Sequence, residues 1–437
     1  MILCFVLFLS AVVACLAAGQ NLIWALLVGL GLFFGLGLRR GYSARTLWAM
    51  AWKKGRDALI VVPVFLIIGA VTALWRSAGT IAYFLYYGLR GIPPELFVLV
   101  AFLLSAGLSF ALGTSYGVCG TAGVVLMTLA RSGGVDPAVA AGAVVSGAYF
   151  GDRCSPMSSC ANLVAGCTGT KLYRNVREML RTALLPTLLS VLIYWLLSLR
   201  HPVTAVDESV LLALRDGFSL AWPVLVPAAV MLVLPLLRMP VKWAMAISAA
   251  AALTVTVTLQ DLPLGEALRA ALLGYVPQEA ELAGILSGGG VISMATASGI
   301  VFITSLYAGI LEGIDALAPV RARVEQLAER LGLFSATALV SLLIVAVFCN
   351  QSVAIIMGEQ LMGESYRRRD ASRQTLAIDM ANSTVVLAAW IPWSIAISVP
   401  LSMLGADMRA MPYAVLVFLI PLCYLFTRRW FLAGQRD

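Results

Sequence analysis

Apolar residues come in long blocks separated by short polar or basic segments. The first two blocks, at about 2–18 and 21–38, are joined by Gly19-Gln20 and closed by Arg39-Arg40. Further blocks fall at about 58–75, 94–112, 136–150, 180–199, 218–237, 241–259, 296–312, 333–349, 384–404 and 412–427. A bilayer crossing takes about 20 apolar residues in a helix, so the pattern predicts an all-α polytopic membrane protein with about 10–12 transmembrane helices. Residues 43–57 are too polar to span. There Leu47, Met50, Ala51 and Trp52 set against Lys53, Lys54 and Arg56 predict a helix lying along the membrane surface. Residues 313–332 carry both signs of charge, Arg321 among them, and read as a solvated helix. Residues 1–18 lack a basic residue ahead of the apolar stretch and read as an uncleaved first helix.

Five stretches fit neither a loop nor a clean helix: 78–92, 113–130, 151–170, 283–295 and 350–365. They are apolar overall yet broken by Gly, Ser, Thr, Asn and Pro. Non-helical backbone survives at membrane depth only where protein or a polar cavity satisfies its hydrogen bonds. The breaks also pair by character. Gly113-Thr114-Ser115-Tyr116-Gly117 precedes a second break that runs from Gly151-Asp152 to Asn162; in the second half Cys349-Asn350-Gln351-Ser352 precedes Asp379 through Thr384. Paired interruptions of this kind point to a binding site at a repeat interface, which divides the chain at 1–200 and 201–437.

Composition sharpens the picture. Of the 437 residues 61% are hydrophobic and 12% charged, too little polar surface for a soluble fold. The net charge of +8 sits in connecting segments, including Lys171, Arg174, Arg177 and Arg181, Arg367–Arg369 with Arg373, and Arg428, Arg429 and Arg436. The positive-inside rule explains these clusters without nucleic acid and places both termini in the cytoplasm, in a cell inner membrane. The eight cysteines form no CxxC pair, and Cys154, Cys160 and Cys167 have no histidine nearby, so they read as free thiols rather than a metal site. The lone His201 stands at the end of a span. With no HExxH, Walker loop or Gly-x-Ser-x-Gly elbow, the chain reads as no enzyme and calls for no cofactor.

The densest polar cluster is GDRCSPMSSCANLVAGCTGT, 151–170. Asp152, Ser155, Ser159 and Asn162 would share one face of a continuous helix, but Pro156 argues for a helix ending near Ser155 and restarting. Such a gap, with Ser158 inside it, frees the oxygens that a dehydrated hard cation requires. Asp379 leads the second break. It is either a helix-start carboxylate or a second ionisable group near the site, with Asn382, Ser383 and Thr384 following. Thr114, Ser115, Asn350 and Gln351 complete the candidates, and Glu359 is a weaker one.

At these residues the chain resembles the NhaC family of sodium/proton antiporters. GTSYGVCGTAGVVLM (113–127) is similar to that family's GTSWGT-type segment. AGAVVSGAYFGDRCSPMSSCANL (141–163) is similar to its AGAxxSGAYFGDKxSPLSDTTNL signature, and DMANSTVVLAAWIPWSIA (379–396) to its late segment ending in IPW. The resemblance implies an ion-transporter fold with inverted repeats and re-entrant hairpins, with Asp152, Ser155, Asn162, Thr114 and Ser115 near the ion pathway. It implies Na+ and H+ as the transported partners, surrounding lipid, and a second copy of the chain as an open alternative. One departure matters: SDTTN reads Ser158-Ser159-Cys160-Ala161-Asn162, so Ser159 stands where the family carries Asp. That leaves Asp152 and Asp379 to titrate, and keeps a cation-coupled carrier of a small organic acid or amino acid as the alternative.

Overall fold

The chain is described by a computed structural model covering residues 2–18, 20–203, 208–237, 239–316 and 323–433. Gly19, Arg321 and Arg436 lie outside the described residues. Among the described residues the regular structure is helical, with one isolated antiparallel bridge between Tyr275 and Gly288.

The amino-terminal helices are α1 (Ile2–Ala17), α2 (Ile23–Arg39) and α3 (Ala44–Ser77), followed after a bend at Gly79 by α4 (Thr80–Gly91). Ser43 caps α3 by accepting from the Thr46 N–H at 3.1 Å. The helix then runs unbroken through the segment expected to lie along the surface. Residues 43–57 are therefore the first part of a 34-residue helix and not a separate one. Nothing at the junction stops the helix, because the polar and apolar parts share good helix formers.

Helix α5 (Phe97–Leu112) stops at Gly113 and a short α6 (Ser115–Cys119) turns the chain, after which α7 (Ala122–Ser132) leads it back. The end of α7 returns to the level where α5 began: a Cβ on Gly133 would touch Val203, and Val203 N–H bonds the Pro94 carbonyl at 3.1 Å. Helix α8 (Pro137–Cys154) then descends, breaks, and continues as α9 (Ser159–Thr168), and α10 (Leu172–Arg200) climbs the whole distance back. At about 1.5 Å per residue its 29 residues span roughly 43 Å, enough to cross a bilayer.

Between the halves lie α11 (Glu208–Gly217), α12 (Val226–Leu236), α13 (Val241–Thr258), α14 (Leu264–Leu273), α15 (Ala280–Leu286), α16 (Ala295–Gly313) and α17 (Val324–Leu331). The second hairpin is α18 (Leu333–Phe348) and α19 (Gln351–Arg368). Its two ends meet at the opposite level from the first: Thr337 pairs with the Tyr366 hydroxyl at 3.0 Å, and the next helix starts beside α10's amino end, with Gln374 donating to Asn175 at 2.7 Å. That helix, α20 (Arg373–Asn382), breaks at Ser383, and the short α21 (Thr384–Leu387) follows. After a second break at Ile391–Ser394 the chain continues as α22 (Ile395–Met403) to the level of α7, where Arg131 donates to the Gly405 carbonyl at 2.8 Å. Helix α23 (Val415–Ala433) runs back. The two hairpins thus enter from opposite ends.

This geometry explains where the expected spans differ from the observed helices. Among the described residues four helices are long and apolar enough to cross a membrane alone, and three bent pairs raise the number to seven. The expected spans ending at 112 and 349 stop at a break because they are arms of hairpins. The expected span 384–404 is cut by the Ile391–Ser394 break. Conversely 350–365, expected to be broken, is one helix once past Asn350.

Candidate ion site at the helix breaks

Two glycines seat the central helix. A Cβ on Gly147 would lie 2.5 Å from the Phe102 carbonyl oxygen, and one on Gly151 would lie 2.0 Å from the Ser109 carbonyl carbon. Small residues four apart let α8 lie directly on the backbone of α5, and Ser109 Oγ donates to the Ala148 carbonyl between them. We expect Gly151→Ala to force the two helices apart and cost folded protein, whereas Gly166→Ala, which meets nothing within 4 Å, should leave stability unchanged or slightly raised. Thermal unfolding of the two purified variants checks this; equal melting temperatures would refute the packing argument.

The close approach delivers Asp152, 4% exposed, to the tip of the first hairpin. There Gly113 adopts φ 68°, a left-handed conformation that suits glycine, and its Cβ position is already filled: Met157 carbonyl carbon lies 2.4 Å away and Ser158 N 2.6 Å. The two broken stretches of the first half therefore cross at van der Waals contact. Beyond Cys154 the chain is extended at Ser155, as a residue before proline prefers. Ser158 closes the gap. Its Oγ donates to the Asp152 carbonyl and accepts from Cys160 N–H at 3.1 Å and Ala161 N–H at 3.2 Å.

The tip of the second hairpin has the same backbone. Cys349 (φ 55°, ψ 14°) followed by Asn350 (φ −131°, ψ 124°) matches Gly113 (φ 68°, ψ 28°) followed by Thr114 (φ −150°, ψ 127°). Thr114 and Asn350 cap the helices that restart, Thr114 through Gly117 N–H at 3.3 Å and Asn350 through Ser352 N–H at 2.9 Å. The breaks converge on Asp152. Its carboxylate faces the Ser115 hydroxyl and backbone N–H from the first hairpin and the Gln351 side chain from the second. Cys160 Sγ lies 3.7 Å from Oδ2. Tyr116, Tyr149 and Cys119 surround it, and the two phenols donate to the Ile395 and Ala396 carbonyls at 3.4 and 2.7 Å, tying the start of α22 to the site. Among the described residues no Lys or Arg nitrogen lies within 4.0 Å of Asp152.

Other expected members lie elsewhere. Asp379 is fully buried, but its two oxygens are taken: Arg428 Nη2 at 2.6 Å and Nε at 3.1 Å, Tyr366 hydroxyl at 2.6 Å and Tyr424 hydroxyl at 2.8 Å. Asn382 accepts from Arg153, a fully buried guanidinium that also donates to Thr182 at 2.7 Å. Ser383 bonds the Asp379 carbonyl at 2.6 Å, and Thr384 pairs with Ser341 at 2.7 Å. These residues form a second polar cluster. Ser159 and Asn162 point from the exposed face of α9, Asn162 donating back to the Ser158 carbonyl at 2.7 Å. The helix ends at Cys154 and restarts at Ser159, as Pro156 predicts, and the new register of α9 turns Ser159 and Asn162 away from Asp152. Tyr149 went unread in the sequence. Tyr149 stands one helical turn before Asp152, a spacing that could have marked it.

Hairpins entering from opposite ends around a buried carboxylate, with no cationic partner among the described residues, define the class, a polytopic membrane transporter. The sequence profile of the Na+/H+ antiporter family matches residues 1–161 and 147–427, and the chain belongs to that family. An uncharacterized Na(+)/H(+) antiporter of Haemophilus influenzae is 29% identical over 82% of this chain and 79% of its own length. A malate-2H(+)/Na(+)-lactate antiporter of Bacillus subtilis is 26% identical over 82% and 78%, and the Na(+)/H(+) antiporter NhaC of Alkalihalophilus pseudofirmus 27% over 85% and 84%.

Proposed function

We propose that the chain is a secondary antiporter exchanging Na+ for H+, with Asp152 as the group that holds one or the other. The observation that carries this reading is a carboxylate at 4% exposure with no Lys or Arg among the described residues beside it, at the meeting point of helix breaks from both halves. An isolated carboxylate at membrane depth is costly when ionised, so it stays neutral by holding a proton until a cation replaces it. Ser115 from one hairpin and Gln351 from the other can offer oxygens to that cation, so binding engages both halves at once. The halves, about 1–200 and 201–437, act as inverted repeats, and movement of one against the other opens the site to alternate sides. Asp379 serves as an anchor for Arg428 and is not part of the cation shell.

The end of the bundle that carries Lys171, Arg373 and Arg369 is cytoplasmic by the positive-inside rule, and both termini lie there. Cysteines introduced at Arg45 and Arg369 should label from the same side; opposite labelling would refute an even number of crossings with both termini on one side.

One observation favours a second reading, a cation-coupled exchanger of a small organic acid or amino acid. The Cys160 thiol lies 3.7 Å from the Asp152 carboxylate, and sulfur is a poor partner for a hard cation. A relative named for malate and lactate exchange fits that alternative. Proteoliposomes offered Na+, K+ and small organic acids separately, with internal pH followed, decide between the two. In the same assay Cys160→Thr, which puts a hydroxyl where the thiol stands, should tighten the apparent KM for Na+ about tenfold, equivalent to about 1.4 kcal/mol. Lost organic-acid uptake with unchanged Na+ dependence would promote the second reading.

A further inference from the structure

A cavity of about 220 Å3 lies between α3, α16 and the second hairpin, lined by Lys54, Ser305, Phe348, Asn350, Ser352 and Ile356. Its inner wall is Asn350, the capping residue inside the helix break, and the next residue in the chain is Gln351, which faces the Asp152 carboxylate. Its outer end is charged. Lys54 Nζ lies 2.9 Å from Glu312 Oε2, and the two side chains are 32% and 47% exposed.

Packing holds this pair in place. Gly309 and Gly313 press α16 onto α3: a Cβ on Gly309 would lie 2.4 Å from the Met50 carbonyl oxygen and 3.0 Å from Lys54 Cβ. One on Gly313 would lie 2.4 Å from Met50 Sδ. Lys54 and Glu312 therefore face each other from two helices whose backbones nearly touch, not from flexible loops. A site reached only through broken backbone needs a wetted route. The larger apolar cavity, about 520 Å3 and lined by residues such as Leu104, Leu108 and Leu112, offers an ion few oxygens. The smaller cavity offers the Asn350 amide and the Ser305 and Ser352 hydroxyls in its lining, together with Lys54.

The geometry points to this cavity as the aqueous access path to Asp152 from the basic end of the bundle, with the Lys54–Glu312 pair as the electrostatic filter at its mouth. Glu312 cancels a Lys54 charge that would otherwise repel an approaching cation. The inference rests on the reading of Asp152 as the cation site. A charge at the mouth of a low-dielectric path changes the local ion concentration, and the effect fades once the Debye length shrinks with added salt.

The two partners therefore predict opposite results. With Na+ supplied from the basic end, Lys54→Gln should lower the apparent KM about threefold and Glu312→Gln should raise it by about as much, both shifts shrinking at high concentrations of a non-transported salt. A bridge that merely joins two helices predicts shifts in the same direction, because either substitution breaks it, and that result overturns the inference, as does an unchanged KM in both. Accessibility gives a readout that does not depend on transport. Ser352→Cys should react with a hydrophilic cationic thiol reagent from the basic end, above the reaction of the unsubstituted chain. No added reaction refutes the path even if Asp152 proves essential. Added reaction together with reversed signs, Lys54→Gln raising KM for an anion, supports the path and overturns the Na+ reading.

Discussion

Asp152→Asn should reduce exchange to the background of empty proteoliposomes while the protein inserts, purifies and unfolds at the wild-type temperature. Asparagine keeps the shape of the side chain. What it removes is the negative charge. At about 4 Å and an effective dielectric of about 20, that charge attracts a cation by roughly 4 kcal/mol. At about 1.4 kcal/mol per factor of ten, its loss weakens binding on the order of a thousandfold. Stability is spared because no basic group near Asp152 loses a partner. Among the described residues none lies within 4.0 Å, and its neighbours are hydroxyls, thiols and amides. Retained exchange with wild-type pH and Na+ dependence would make Asp152 a structural acid and remove the basis of the functional reading.

Asp379→Asn should behave in the opposite way. Here the carboxylate is 0% exposed and pairs with Arg428, whose side chain is 19% exposed, while two tyrosine hydroxyls donate to it. Removing one partner of a buried pair leaves an uncompensated charge, at a cost of about 3–5 kcal/mol; the partial exposure of Arg428 puts the expectation at the lower end. The variant should unfold at a clearly lower temperature, with less protein recovered. The fraction that remains folded should keep the wild-type KM for Na+ and the wild-type pH profile. Combining Asp379→Asn with Arg428→Gln should recover part of the stability, because the orphaned charge is gone. An unchanged unfolding temperature with an altered Na+ dependence would return Asp379 to the ion site.

The contrast between the two acids shows how far the sequence could be read. Both stand ahead of a Ser/Asn-containing break in an apolar setting, and local pattern gives them equal standing. Arg428, Tyr366 and Tyr424 separate them, and Arg428 lies 49 residues from Asp379 in the chain. The break at 155–158 was legible because proline and the residue before it restrict the backbone locally. The break at 113 was legible because glycine and serine interrupt an apolar run. That Ser159 and Asn162 leave the site was not, since the direction in which α9 restarts is set by its packing against the second hairpin and α20.

The sequence by itself determined the membrane class, the helical architecture, the positions of the paired breaks and the family resemblance, because each depends on hydropathy or backbone preference within a few neighbouring residues. Only the tertiary structure decided that the two hairpins enter from opposite ends, that Asp152 has no cationic partner among the described residues while Asp379 is paired, and that Lys54 meets Glu312 beside a cavity reaching Asn350. Burial and charge pairing arise between segments far apart in the chain, and no local pattern records which distant side chain will arrive.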